Sequence, residues 1–80
     1  MKIPRDLSGS QFIKALEHFG YQVTRQTGSH VRLTTERGGR HSVTIPNHSD
    51  LKIGTISAIL AEVARHADLS RDDLLNQLFR

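Results

Sequence analysis

Eighty residues and a mass of about 9.0 kDa leave room for one small domain, residues 1–80, built around one shared core. The lack of Cys excludes a disulfide framework, a thiolate metal site and a Cys nucleophile. No apolar run is long enough to span a membrane, and the opening residues, MKIPRDLSGS, lack the apolar stretch of a signal peptide, so a cytoplasmic location is expected.

The formal net charge is +3 with His neutral, and it is unevenly spread. Residues 1–52 carry eight Lys/Arg against four acids, whereas residues 53–80 carry three against four. The positive excess therefore lies in the first two-thirds of the chain. A basic body attracts polyanions, and nucleic acid is the commonest of these in a cytoplasm. Solubility by itself also accounts for a charge of this size. Eight of the eleven cations are Arg, the side chain suited to bidentate contact with phosphate.

Ser8-x-x-Gln11 reads as a capping box that opens a helix, with Phe12, Ile13, Leu16 and Phe19 on its apolar face and Gly20 as its stop. The period then changes from helical to alternating. Tyr21, Val23 and Arg25 alternate with Gln22, Thr24 and Gln26 as a half-buried first strand. Thr27-Gly28-Ser29 marks a turn, after which Val31, Leu33 and Thr35 alternate with His30, Arg32 and Thr34. Glu36-Arg37-Gly38-Gly39-Arg40 is a hairpin turn whose glycines supply positive φ. Val43 and Ile45 alternate with Ser42 and Thr44 in a third strand, which Pro46 ends. Asn47-His48-Ser49-Asp50 is a polar loop. A second helix runs from about Lys52 or Gly54 to His66, with Ile56, Ile59, Leu60, Val63 and Ala67 as its core stripe. Ser70-x-x-Asp73 opens a short third helix through about Leu78. The expected fold is α+β in the order α-β-β-β-α. It has a three-stranded antiparallel sheet, helices on one face and a short C-terminal helix. This is the element order of double-stranded-RNA-binding domains.

Five histidines in eighty residues single out imidazole as the candidate chemistry, because its proton exchanges near neutral pH. His30 has the parity of Arg32 and Thr34, opposite to Val31 and Leu33, so it faces away from the helix-covered core. Gly28 lets the backbone come close to a ligand and Ser29 adds a hydroxyl. Two readings fit this pattern: an acid–base group beside Arg32 at a phosphodiester, and a solvated strand-edge histidine. His41 shares the parity of Val43 and reads as structural, at the edge of the core. His48 lies before the second helix, whose N-terminus with Gly54 and Thr55 is either a phosphate cradle or an ordinary helix start. His18 and His66 read as exposed helix positions. Convergence of His30, His41 and His48 on a metal is conceivable, but no H-x-x-x-H motif or acidic cluster supports it, so no metal is expected. With only four aromatic residues, Phe12, Phe19, Tyr21 and Phe79, a base-stacking platform is not expected either.

The residues Ser8-Gly9-Ser10, Leu16, Phe19-Gly20-Tyr21, Arg25-Gln26-Thr27-Gly28-Ser29-His30, Val43-Thr44-Ile45-Pro46-Asn47-His48, Leu51-Lys52-Ile53-Gly54-Thr55 and Ile59-Leu60 carry a resemblance to a known family. Together they resemble the HicA (YcfA-like) family, the toxin half of HicAB toxin–antitoxin systems, over about residues 3–78. The chain departs from the family in one place. Members usually pass from the Ile-Leu of the second helix to a short Gly-Leu-Ser/Thr link. Here Ala61 to Asp68 intervene before Leu69-Ser70, so this helix is expected to be about a turn longer.

The resemblance implies a type II toxin on a double-stranded-RNA-binding-domain-like fold. Such a protein is an endoribonuclease that cleaves mRNA, stops translation and is neutralised in complex with a HicB antitoxin. The family's functional histidine, in the Gly-Ser-His motif, falls on His30. Arg25, Gly28, Ser29, Arg32 and Lys52 are the expected RNA contacts, with no metal and no cofactor. A non-catalytic double-stranded-RNA-binding module is the alternative from another class; a surface that binds only another protein is a third reading.

Overall fold

The computed structural model describes residues 2–79. Its elements are α1 (Gly9–Phe19), β1 (Gln22–Thr27), β2 (His30–Thr35), β3 (His41–Pro46), α2 (Ile53–Ala67) and α3 (Arg71–Phe79). The three strands form one antiparallel sheet in the order β1-β2-β3. The expected α+β architecture is therefore observed. No helix among the described residues is long and apolar enough to cross a membrane.

Local signals set the helix ends. Ser8 accepts a hydrogen bond from the Gln11 backbone N–H (3.1 Å), and the Gln11 side chain returns one from the Ser8 N–H (3.0 Å), completing the capping box. Gly20 then turns the chain with a φ of 119°, in the region that side chains avoid. Helix α2 runs through Ala67 and ends on Asp68 at a φ of 57°, an unusual left-handed cap for a non-glycine residue. The Ser70 hydroxyl accepts from the Asp73 N–H at 3.1 Å and starts α3.

Alternation places Val31 and Leu33 of β2 and Val43 and Ile45 of β3 on one face, where all four are buried. Both α1 and α2 pack on β3, α1 also reaches β1, and α3 packs against both helices. Phe12, Leu16, Ile56, Leu60, Leu74 and Leu75 complete a single cluster with the strand residues. Phe79 adds a tilted ring contact with Phe12 at 6.3 Å. Truncating a fully buried Leu such as Leu60 to Ala costs about 2–5 kcal/mol, so each of these side chains matters to a domain this small.

Strand β1 departs from the sequence reading. It is exposed along its whole length, and Val23 keeps 44% of its surface in water. Strict alternation also fails within it. Val23 pairs with Leu33, but the next pair is Arg25 with Arg32, so Thr24 is the extra residue of a β-bulge. The bulge moves Arg25 off the face of Val23 and onto the face of Arg32.

His66 also departs from expectation: it is half-buried rather than free on its helix. Its ring stacks on His41 with centroids 4.6 Å apart and planes 12° from parallel. Its Nε2–H donates to the Arg37 carbonyl at 2.9 Å. His41 takes the core-edge position expected of it, with Nδ1 2.8 Å from the Tyr21 hydroxyl. With the phenol donating, the neutral His41 ring carries its proton on Nε2. Burial, then Glu62, pushes the Tyr21 phenol above its ordinary range, which keeps that donor protonated.

Burial, then His66 and Arg65, holds His41 below its ordinary value of 6.5, with Glu62 acting in the opposite direction. The unfolded chain therefore binds the proton more readily than the folded one. The stabilising contribution is complete above the unfolded value near 6.5 and is lost as pH falls through the folded value. Thermal unfolding followed by circular dichroism should show the melting temperature dropping on acidification from pH 8 to pH 5. His66→Ala should lower it at pH 8 and reduce the acid-induced drop.

Candidate functional site

Helices cover one side of the sheet, so the functional candidates are read from the other. Cα pairing places His30, Arg32 and Thr34 of β2 beside Pro46, Thr44 and Ser42 of β3, and beside Thr27, Arg25 and Gln22 of β1. Partners in an antiparallel pair share a face, so all nine belong to the open side. Its centre is self-satisfied. The Thr34 hydroxyl lies 3.0 Å from that of Thr24 and 2.8 Å from that of Ser42, and Thr34 is buried beneath this ladder.

The arginines are different. Arg25 and Arg32 are Cα partners, both are exposed, and neither has an acid partner among the described residues. Like charges directly opposite each other in a sheet are destabilising by a few tenths of a kcal/mol up to about 1 kcal/mol. His30 lies two residues from Arg32 on the same face, exposed and without a side-chain partner among the described residues. The bulge thus assembles a cluster that strict alternation would have divided: one imidazole and two guanidinium groups facing solvent.

The turn before His30 has two residues. Thr27 pairs with His30, and Gly28 takes a φ of 57° between them while Ser29 stays at negative φ, as in a type II′ turn. Nothing lies within 4 Å of where a Gly28 Cβ would stand, so the turn's tip is open. On the far side, Asn47 N–H donates to the Ser29 carbonyl at 2.6 Å, extending the β2–β3 ladder past His30 and Pro46.

Helix α1 holds this arrangement from below. Gly9 N–H donates to the His48 carbonyl at 2.8 Å, and the Ser10 hydroxyl donates to Asn47 Oδ1 at 3.0 Å. A Cβ on Gly9 would meet the Asn47 Cα at 2.6 Å and the Pro46 carbonyl at 2.7 Å, both of them backbone atoms. The helix start is therefore pressed directly onto the segment beside His30. The motif Ser8-Gly9-Ser10 has a positional meaning that the sequence pattern alone did not reveal.

Lys52 belongs to a different part of the fold from the strand residues. It is the exposed residue preceding α2, on a separate element, and no hydrogen bond or ion pair joins it to the sheet. No side chain caps the α2 N-terminus. His41 does not join His30: it pairs with Thr35 at the opposite end of β2. Among the described residues, no group of three or more His, Asp or Glu is arranged to hold a metal ion. A concavity of about 340 Å³, lined by Phe19, Tyr21, Arg37, His66 and Leu69 among others, also lies at the His41 end. An extended polyanion needs an open charged face rather than this cavity, so the cluster around His30 is the stronger candidate.

A family model, the HicA toxin of bacterial toxin–antitoxin systems, matches residues 9–69, a stretch that includes the whole cluster. Comparison with curated proteins and with solved structures gives no match.

Gly9→Ala should force the 46–48 segment away from α1 and cost about 1–3 kcal/mol by overpacking. Amide exchange should show the added opening concentrated at Asn47, whose N–H is bonded to Ser29, rather than at the His41 end.

Proposed function

The chain belongs to the HicA toxin family, and from that premise we propose that residues 1–80 form one endoribonuclease domain that cuts mRNA, with His30 as a proton carrier. The observation that supports this most is the pair of arginines beside His30, placed face to face with no acid between them. A fold keeps such a repulsive pair at a cost to itself. A phosphodiester lying across Arg25 and Arg32 relieves the repulsion and brings its ribose to the imidazole.

The chemistry follows from the substrate. The ribose 2′-oxygen attacks phosphorus, the bond from phosphorus to the 5′-oxygen breaks, and a 2′,3′-cyclic phosphate and a 5′-hydroxyl result. The proton of the 2′-hydroxyl passes to a base, and the departing 5′-oxygen takes a proton from an acid. His30 fills one of these roles. Arg25 and Arg32 stabilise the charge that grows on the phosphoryl oxygens. Gly28 and Ser29 form the open turn that lets the RNA backbone approach, and Lys52 adds positive charge from the start of α2. These steps use neither a metal nor a cofactor, so cleavage in the presence of a chelator belongs to the proposal. The substrate places the activity in the cytoplasm. A HicB antitoxin neutralises the toxin by covering this basic face with an acidic or closely packed surface, in a hetero-oligomeric complex.

Induction of the wild-type protein, with RNA followed on a gel, should show mRNA loss and growth arrest. His30→Ala should reduce cleavage by about 10²–10⁴-fold without unfolding the protein, because the ring is exposed and unpartnered. A substrate with 2′-deoxyribose at the scissile position should resist cleavage. Duplex binding without any cleavage would instead identify a non-catalytic RNA-binding module.

Arg32→Ala should weaken RNA binding and lower the slope of log affinity against log salt by about 1. Arg25→Thr should weaken binding similarly while raising the melting temperature, since it removes a like-charge pair.

A further inference from the structure

We propose that His48 is the second proton carrier, working opposite His30 across the scissile phosphate. The inference rests on the ribonuclease reading above and supplies what that reading lacks, since one imidazole cannot serve as base and acid in the same step.

The backbone brings His48 to the right end of the molecule. His30 pairs with Pro46, and the Asn47 N–H reaches the Ser29 carbonyl at 2.6 Å, so the tail of β3 runs beside the Gly28-Ser29 turn. The chain does not then move away. The His48 N–H donates back to the Pro46 carbonyl at 2.9 Å, a three-residue turn that keeps residue 48 next to residue 46. Adjacent strands lie about 4.8 Å apart, and the turn adds a step of two residues, so the Cα atoms of His30 and His48 lie within roughly 10 Å of each other. Side chains reaching inward over that span leave room for one phosphate group between two rings.

The segment is also held firmly. The His48 carbonyl accepts from the Gly9 N–H at 2.8 Å, and Asn47 Oδ1 accepts from the Ser10 hydroxyl at 3.0 Å. The space for a Gly9 side chain is filled by the backbone of residues 46 and 47. An ordinary loop before a helix does not require contact this close. The His48 ring itself is exposed and has no partner among the described residues, so it is free to turn toward a bound phosphate. A fixed backbone carrying a free imidazole is what a proton carrier needs.

The other histidines are placed elsewhere. His41 and His66 are engaged with each other at the far end of the sheet, and His18 lies in the last turn of α1, away from Gly9. The nearest rival in sequence is Asp50, in the same loop. A carboxylate can also take the 2′-hydroxyl proton, so Asp50 belongs in the test.

The test compares wild type with His30→Ala, His48→Ala, His48→Gln and Asp50→Asn on two substrates across pH. One is an RNA oligonucleotide; the other is a nucleoside 3′-phosphate ester of p-nitrophenol, whose leaving group departs without an acid. The inference expects a bell-shaped pH profile of kcat/KM for wild type, and a loss of about 10²–10⁴-fold with one limb missing for both His48 variants. Circular dichroism should show each variant folded. Only one of the two single histidine changes should recover on the p-nitrophenyl ester, which names that residue as the acid. If His48→Ala and His48→Gln cleave RNA at the wild-type rate, or slow it with both limbs intact, the inference fails while the ribonuclease reading stands. Loss of a limb in Asp50→Asn, with His48 variants unaffected, overturns it in favour of the carboxylate. Absence of cleavage by the wild-type protein overturns the ribonuclease reading, and the inference with it.

Discussion

A three-stranded sheet has two faces, and here the helices pack on only one of them. Val31, Leu33, Val43 and Ile45 meet Phe12, Leu16, Ile56 and Leu60 on the covered side, and among the described residues no helix covers the other. The uncovered face must then be compatible with water by itself. It manages this with the hydroxyl ladder of Thr24, Thr34 and Ser42, and with charged groups at one end. The asymmetry produces a flat, basic and accessible surface on a chain of only eighty residues. Losing one buried Leu costs several times what the Arg25–Arg32 repulsion costs, so the core tolerates the pair.

The two ends of the sheet do different work with the same side chain. At one end, His41 and His66 stack, and their ring nitrogens are bonded to Tyr21 and to the Arg37 carbonyl. These histidines fasten α2 to the sheet and to the hairpin after β2. At the other end, His30 and His48 have exposed rings on backbone that is tied down by Gly9, Ser10, Ser29 and Asn47. Imidazole serves as packing material where its nitrogens are occupied, and is available for proton transfer where they are not. Helix α2 runs through Ala67, and its last turns carry His66 to His41, at the end of the molecule remote from His30.

Much of the architecture was legible along the chain. The capping box at Ser8, the glycine stop at Gly20, the three alternating segments and the apolar stripe of α2 each follow from spacing and from the steric freedom of a few residue types. These are local properties, decided within one or two turns or one hairpin. The side of the sheet taken by His30 was legible for the same reason, because neighbouring strand residues point in opposite directions.

What was not legible depends on contacts between distant segments. A bulge at Thr24 is a property of the register between β1 and β2, and no alternation rule places it. It alone decides that Arg25 joins Arg32 and His30. The exposure of β1 depends on how far α1 extends over the sheet, and the half-burial of His66 depends on His41, twenty-five residues earlier in β3, bringing its ring centroid to 4.6 Å once folded. The role of Gly9 emerges only when the 46–48 segment is packed against it. Composition and periodicity settled which elements form and which faces are apolar, since those follow from short-range sterics and hydrophobicity. Which polar side chains meet at one place was settled by register and packing, which no single segment carries.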